Sequence, residues 1–307
     1  MKILVTGGCG YLGRNLISLL ADSLKCEIIC LDIEGSDIST VSDKASAIEL
    51  LPRNWSYNDI RDLICKHQPE AIFHLAALVR VQDENAQLPD LINSNITLGS
   101  YLLASAANTR LKYFVNTGSF WEERLEAGYY APVNAYAATK RAFQAMLEYY
   151  VDLYQLSAIN LKLFGIFGPD DNRPNLLTAL MNFADQGDVF KTTPGQQILD
   201  MVYVKDAARA FICALKTLTE SKPGLLPDVE ISSGEHLKLE QFLELYNRLA
   251  VKKVKYELGA LDYRPREVMN RKADIENTNK TIGWSPEVSI KAGLEIILAE
   301  RANHEKN

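Results

Sequence analysis

The sequence lacks any long hydrophobic run. No segment of its 307 residues approaches the about 18 consecutive apolar residues that a membrane-spanning helix needs. The first residues, MKILVTGG, enter a short apolar strand pattern without the cleavage pattern of a secretory signal peptide. These absences exclude a membrane-spanning protein, and we predict a cytoplasmic one with no membrane partner.

Cysteine and histidine are both scarce. The 5 cysteines are an odd number scattered among apolar segments, which favours buried thiols in a reducing compartment over a disulfide framework. The 4 histidines show no metal-ligand spacing. We therefore predict no metal site.

Positive charge is also in short supply. The net charge is −6, and the basic residues form no run longer than VKKVK at 251–255. Nucleic acid and anionic membrane surfaces are bound by concentrated positive charge, so neither is an expected partner. The chain is long enough for one large domain and a smaller one.

Short β-rich apolar runs alternate with helical patterns in the first half of the chain. The runs KILVT, EIICLD, AIFHLAA and YFVNTGS predict strands, and helices are expected near 11–24, 86–107 and 134–154. Apolar strands separated by helices are typical of a doubly wound parallel α/β sheet, the Rossmann class. From about 224 the segments are short and mixed. We expect a Rossmann domain (1–167 and 197–223) and a smaller mixed substrate domain (168–196 and 224–307).

A glycine-rich turn follows the first strand. Gly7, Gly10 and Gly13 open an amphipathic helix, and such a turn lets a pyrophosphate approach the free N–H groups of a helix N-terminus. The second strand ends in Asp32, whose carboxylate can accept both ribose hydroxyls of an adenosine and would repel a 2′-phosphate. The pattern favours NAD(H) over NADP(H).

Eight motifs in order resemble the extended short-chain dehydrogenase/reductase family, the nucleotide-sugar epimerases, dehydratases and reductases. They span nearly the whole chain: TGGCGYLG, NDIRD (58–62), HLAA (74–77), TGS (117–119), YAATK (136–140), LFGIFGP (163–169), VYVKDAARA (202–210) and RPREVMNRKADIENTNKTIGWSPEVSIKAGL (264–294).

The resemblance implies site residues at the matching positions. Those implied to bind the dinucleotide are Gly7, Gly10, Tyr11, Leu12, Gly13, Asp32, Asp59, Ile60, Leu75, Ala76, Ala77, Asn95, Thr117, Tyr136 and Lys140. Those implied to bind a nucleotide-diphosphate sugar are Ser119, Phe120, Asn175, Leu176 and Arg264. A guanidinium such as that of Arg264 suits phosphate oxygens.

Ser119, Tyr136 and Lys140 are the expected catalytic residues. Ser119 ends a strand, and Tyr136 and Lys140 lie one turn apart on one face of the next helix. The lysine's charge should favour the tyrosine's phenolate, so that Tyr136 exchanges a proton with the sugar near neutral pH. Ser119 would stabilise the same oxygen while hydride moves to or from the nicotinamide.

The reaction type is narrowed by departures from the family pattern. The 4,6-dehydratases carry an Asp-Glu pair after the catalytic Ser or Thr, where this chain has Phe120 and Trp121, which could wall an apolar pocket for a deoxy sugar. Leu199 replaces a usual diphosphate arginine, and Gly165 replaces an asparagine of the galactose-type epimerases.

Three activities stay open. NTGSFW and LGALDYRPREVM look most like the 4-keto reductases that make deoxysugars, such as the CDP-abequose synthases. The resemblance therefore favours reduction of a 4-keto-6-deoxy or 3,6-dideoxy hexose, whereas Asp32 also suits a 4-epimerase that retains NAD. A non-catalytic NAD-binding regulator is the third hypothesis. The family pairs the helices near 86–107 and 134–154 between subunits, so we expect a homodimer.

Overall fold

The computed structural model describes residues 1–79, 87–106, 109–123 and 131–304. The strands within these ranges are β1 (Lys2–Thr6), β2 (Glu27–Ile33), β3 (Ala47–Leu51), β4 (Ala71–His74), β5 (Tyr113–Ser119), β6 (Ser157–Leu163), β7 (Gly165–Phe167), β8 (Val189–Lys191), β9 (Ile198–Leu199), β10 (Met201–Tyr203), β11 (Gly224–Leu225), β12 (Val229–Ile231), β13 (Leu237–Lys238) and β14 (Lys255–Glu257). The α-helices are α1 (Tyr11–Ser23), α2 (Tyr57–His67), α3 (Leu88–Ile92), α4 (Leu98–Ala104), α5 (Ala135–Tyr154), α6 (Leu176–Gln186), α7 (Val204–Glu220), α8 (Leu239–Leu249), α9 (Ile275–Ile282) and α10 (Ile290–His304).

One large sheet organises the chain. Its strands follow the order β3-β2-β1-β4-β5-β6, and β11 and β12 pair with the outer edge of β6. These pairs are parallel. The chain runs outward from β1 to β3 and then returns to β4 on the other side of β1, which is where open α/β sheets bind ligands. The Rossmann-like fold expected from the sequence is confirmed.

Both faces of the sheet are covered by helices, which explains the continuous apolar strands. β6 is buried along its whole length, and the central residues of β1 and β2 are equally inaccessible. One apolar cluster joins the sheet to α1 and α7, and a second joins it to α2, α4 and α5. The carboxyl ends of β1, β2, β4 and β5 therefore meet along one edge of a rigid layer.

The helix expected near 86–107 is interrupted. Within its described part the structure has α3, a π-helical segment from Asn93 to Thr97, and then α4. The wider π turn coincides with Asn95, which is 1% exposed and makes three hydrogen bonds outside the helix. Such π segments often occur at functional sites. The hydrophobic periodicity of the sequence could not reveal this wider π turn.

The second half of the chain builds a separate apolar cluster with three small sheets. β7 pairs with β10, β8 with β14 and β9 with β13, while α6, α8 and α10 supply the buried side chains between them. The expected domain limits stay a prediction. β11 and β12 follow the expected boundary at residue 224, yet they extend the main sheet.

The cysteines are less uniformly buried than we expected. Cys30 is buried and Cys65 is exposed, while the other three are intermediate. All five are free thiols. Cys65 is exposed because it lies on the outer face of α2, opposite Ile60 and Ile64.

Candidate active site

The glycine turn between β1 and α1 is tightly packed against its own backbone. Gly7 has a φ of +67°, and its N–H donates to the Leu31 carbonyl at 2.8 Å. A Cβ placed on Gly13 would lie 2.2 Å from the Gly7 carbonyl oxygen. α1 begins with Gly10 as its N-cap and without a side-chain cap. Its first N–H groups can therefore bind a dinucleotide's pyrophosphate, and this turn fits the group that the sequence implied.

Asp32 joins the end of β2 to this turn. One carboxylate oxygen accepts the Cys9 N–H at 2.9 Å, and the other accepts the Ser36 hydroxyl at 2.7 Å. The structure thus brings Asp32 beside the glycine turn, at the same edge of the sheet. A carboxylate held there can accept ribose hydroxyls, and its negative charge opposes a 2′-phosphate.

Asp59 and Ile60 lie farther out, in the first turn of α2. Asp59 accepts the N–H and the hydroxyl of Ser56, both at 2.7 Å, and so caps the helix. Ile60 is fully buried beneath it. The Asp59 side chain stabilises the N-terminus of α2 through these hydrogen bonds, and its contact with the adenine stays a prediction.

The segment after β4 is anchored on both sides. Thr6 accepts the N–H groups of Leu75 and Ala76, each at 3.1 Å, and a Cβ on Gly7 would lie 2.9 Å from the Ala76 backbone. Asn95 accepts the Leu78 N–H at 2.8 Å and donates to the Leu78 carbonyl at 3.0 Å. Residues 75–78 therefore lie between the glycine turn and the π segment, at a position suited to contact a dinucleotide.

Ser119, Tyr136 and Lys140 lie where β5 ends and α5 begins. Ser119 ends β5 in register with Leu163 of β6, and α5 begins after Asn134, whose side chain accepts the Ala137 N–H at 2.9 Å. The hydroxyls of Ser119 and Tyr136 are hydrogen-bonded to each other. All three side chains of this catalytic cluster are buried.

The electrostatics of this cluster differ from our expectation. Burial raises the pKa of Tyr136 above its ordinary value, the charge of Glu122 raises it further, and the Ser119 hydrogen bond opposes the rise. Burial also lowers the pKa of Lys140 to about 8, although Glu122 opposes that shift. We expected the lysine to favour the phenolate. Burial instead raises the Tyr136 pKa, so this side chain keeps its proton at neutral pH.

Two further ionisable groups border the cluster. His74, at the end of β4, has a pKa lowered to about 3 by burial and by the charge of Lys140. Its Nδ1 is 2.9 Å from the Thr6 hydroxyl. Glu122 follows Ser119 in a 3₁₀ turn, is 1% exposed, and has a pKa raised to about 7 by burial.

Sequence reasoning missed Glu122. The signal that could have found it is the Ser-x-x-Glu spacing of a capping box, in which the acidic side chain returns to the N–H of the first residue. Here Glu122 accepts the Ser119 N–H at 2.6 Å.

Phe120 and Trp121 form an aromatic wall beside the cluster. Phe120 stacks on Phe164 with ring centres 4.7 Å apart, and Trp121 meets the Tyr136 ring edge-on at 6.4 Å. Both residues are half-buried. The wall therefore presents an apolar surface next to the reacting hydroxyls.

The remaining expected ligand-binding residues are Asn175, Leu176 and Arg264 for the substrate and Thr117 for the dinucleotide, and they lie in different parts of the fold. Asn175 caps α6 by accepting the Thr178 N–H at 3.0 Å, and Leu176 is the first residue of that helix. Arg264 is exposed in the loop between β14 and α9. Thr117 is nearly buried in β5, and its hydroxyl is unpaired among the described residues. Their contacts with ligands stay predictions.

The described residues show neither a metal-binding cluster nor a helix suited to cross a membrane. In the described parts of the chain, no group of three or more His, Cys, Asp or Glu side chains could hold a metal ion. No helix within those same residues combines the length and the hydropathy that crossing a bilayer requires.

The chain matches one family model and is similar in sequence to several known enzymes. Residues 3–227 match the model of the NAD dependent epimerase/dehydratase family. The CDP-abequose synthase of Salmonella typhimurium is 25% identical over 304 residues, which cover 96% of this chain and 97% of the relative. The UDP-glucuronate 4-epimerase of Thermodesulfobacterium geofontis is 26% identical over 329 residues, and this match covers 95% of this chain and 93% of the relative. The family description names NAD, which confirms the expected cofactor.

Solved structures agree on the fold. The UDP-glucuronic acid 4-epimerase of Bacillus cereus, in complex with UDP-glucuronic acid and NAD, superposes with a TM-score of 0.83 at 20% identity. That match covers 99% of this chain and 100% of the other.

Proposed function

We propose that this chain, which belongs to the NAD dependent epimerase/dehydratase family, reduces the C4 ketone of a nucleotide-activated 4-keto-6-deoxy or 3,6-dideoxy hexose. NADH, when bound, would supply the hydride. The residues proposed to hold it are the glycine turn, Asp32 and residues 75–78. We place the protein in deoxysugar biosynthesis, and the similarity to CDP-abequose synthases supports that choice.

The placement of Tyr136, buried beside Ser119 and edge-on to Trp121, is the observation that carries the proposal. A reductase needs an acid that gives a proton to the ketone oxygen as hydride arrives, whereas an epimerase must first remove a proton from an alcohol. Because the Tyr136 pKa is raised, this side chain is an acid at neutral pH. Ser119, hydrogen-bonded to Tyr136, is placed to donate to the same developing oxyanion.

The aromatic wall supports the same substrate class. The 4,6-dehydratases use an Asp-Glu pair directly after the catalytic Ser or Thr as the acid and base of water elimination, and Phe120 and Trp121 at these two positions can act as neither. Their rings suit an apolar sugar carbon such as a deoxy position. Dehydration is therefore not proposed.

A 4-epimerase that keeps its NAD is the second candidate. The 26% identical UDP-glucuronate 4-epimerase and the position of Asp32 favour it. In that case the hydride would return to the same sugar, and no dinucleotide would be consumed.

We also propose a homodimer formed through α4 and α5. Tyr149 and Leu153 on α5 are 58% and 51% exposed, and Tyr149 belongs to a row of rings with Tyr150 and Tyr154. Such aromatic surfaces are enriched at protein interfaces.

The test supplies the purified protein with NADH and a CDP- or dTDP-linked 4-keto-6-deoxyhexose. We expect one NADH oxidised per sugar reduced, and Tyr136→Phe should lower kcat by about 10² to 10⁴ while leaving NADH affinity unchanged. Sugar interconversion without added dinucleotide would instead assign the protein as an epimerase.

A further inference from the structure

The Glu122 carboxyl is buried beside the catalytic cluster. Its Oε1 accepts the Ser119 N–H at 2.6 Å, while its Oε2 has no hydrogen-bond partner among the described residues. Oε1 also lies against the strand, because a Cβ on Gly118 would be 2.9 Å from it. Buried carboxyl oxygens are rarely left unpaired, since the cost of desolvation is high. This oxygen is therefore available to carry a proton.

Titratable side chains from three elements interact with Glu122. Lys140 and Tyr136 face it from α5, Lys162 faces it from β6, and Asp228 faces it from the segment before β12. Lys162 is itself paired, with Asp228 at 2.9 Å and with Glu123 at 3.1 Å. Since its charge is shared with two carboxylates, Lys162 cannot fully compensate Glu122.

Burial is consequently the largest influence on Glu122 and raises its pKa to about 7, with a further rise from Asp228. The Ser119 N–H and the two lysines oppose this rise. Near neutral pH the carboxyl is thus divided between neutral and charged forms. The charged form raises the pKa of Tyr136 and that of Lys140.

We propose that Glu122 is a positioning residue: Oε1 fixes Ser119 at the end of β5, and a proton on Oε2 keeps the carboxyl uncharged while Tyr136 gives its own proton to the substrate. When the Tyr136 O–H bond breaks and the C4 oxygen gains the proton, a phenolate remains in a buried site. A charged Glu122 would place a second negative charge beside it, and like charges in a low-dielectric interior are strongly disfavoured. The protonated carboxyl is the competent form. This role rests on the proposed reduction.

The sign of the pH dependence follows from the neighbouring lysine. When Glu122 is ionised, its charge helps Lys140 to stay charged up to a pKa of about 8. Between about 7 and 8, therefore, the lysine charge is already present, and further ionisation of Glu122 acts on the reaction by repelling the phenolate. Reduction should slow as pH rises through that interval.

The test compares kcat against pH for three variants. Glu122→Gln keeps an oxygen that can accept the Ser119 N–H but cannot ionise, so the part of the kcat decline that follows Glu122 above pH of about 7 should disappear; in the wild type it approaches tenfold per pH unit. Any remaining decline in the variant should follow the titration of Lys140. Glu122→Asp should retain the decline. Glu123→Gln is the matched control, because the adjacent carboxylate is half-exposed and pairs with Lys162 rather than facing the cluster. An unchanged profile in Glu122→Gln would overturn the proposal.

A second measurement needs no turnover. In protein labelled with ¹³C at the glutamate carboxyl and lysine ε positions, the resonance lost in Glu122→Gln should titrate near pH 7, and that of Lys140 should titrate lower in the variant than in the wild type. A Glu122 midpoint near the ordinary value of about 4 refutes the inference even if the ketone is reduced. If no ketone is reduced but both shifts appear, the proposed function fails, and with it the role of Glu122 in reduction, while the ionisation of Glu122 near neutral pH and its effect on Lys140 stand.

Discussion

Replacing Gly13 by alanine tests the packing of the glycine turn. The added Cβ would lie 2.2 Å from the Gly7 carbonyl oxygen and 2.7 Å from the Gly8 Cα, and both contacts are with backbone. Ordinary contacts of a Cβ atom lie at 3.4–4 Å, so both distances are far too short. α1 must therefore move away from the turn, although Leu16 and Leu20 on its inner face are fully buried.

Overpacking of this kind destabilises a core by about 1 to 3 kcal/mol, and we place Gly13→Ala at the upper end because backbone cannot rotate aside. A loss of about 3 kcal/mol lowers the melting temperature by roughly 5 °C or more in a chain of this size. The displaced N–H groups should also raise the NAD dissociation constant by about tenfold or more, since a misplacement worth about 1.4 kcal/mol has that effect. Thermal unfolding and calorimetric titration of NAD measure the two quantities.

Gly10→Ala is the matched control. Gly10 has an ordinary φ of −69°, and the nearest atom to an added Cβ is 3.1 Å away. This variant should stay within about 1 kcal/mol of the wild type in stability, because the change at an N-cap is small. If Gly13→Ala melts and binds NAD like the wild type, the tight packing we describe is wrong.

Three other expectations follow from the site and its surroundings. Asp32→Asn keeps an acceptor for the Cys9 N–H but loses the charge, so the preference for NADH over NADPH in kcat/KM should fall by about tenfold or more; an unchanged ratio would remove Asp32 from cofactor selection. His74 stays neutral in the fold with a pKa of about 3, so wild-type stability should drop by about 2 kcal/mol between pH 7 and 5 relative to His74→Asn, measured by urea unfolding at both pH values. Light scattering should give a dimer for the wild type and a monomer of 34.4 kDa for Leu153→Glu, whose side chain is 51% exposed; a monomeric wild type contradicts the expectation.

Much of the fold could be predicted because apolar runs and glycines act locally. The pattern around β1, α1 and β2 indicated the Rossmann turn, and the ends of β4 and β5 placed Ala76 and Ser119 at one edge. What could not be predicted depends on contacts between distant segments. Glu122 and Glu123 are adjacent and chemically identical. Glu122 is buried against Gly118, whereas Glu123 pairs with Lys162 near the surface.

The Tyr136 environment was misjudged for a related reason. Helical spacing correctly put Tyr136 and Lys140 on one face, but spacing does not report how deeply that face is buried. Desolvation depends on β5, α5 and the aromatic wall together, and it raises the pKa of Tyr136, which is opposite to the direction expected from the lysine.

The π segment has a mechanical consequence. Asn95 bonds to both backbone groups of Leu78 and, at 3.0 Å, to the hydroxyl of Thr139, one residue before Lys140 on α5. One amide side chain thus connects the loop that we expect to border the dinucleotide with the helix that carries Tyr136. We therefore expect a ligand that displaces residues 75–78 to strain the start of α5 as well.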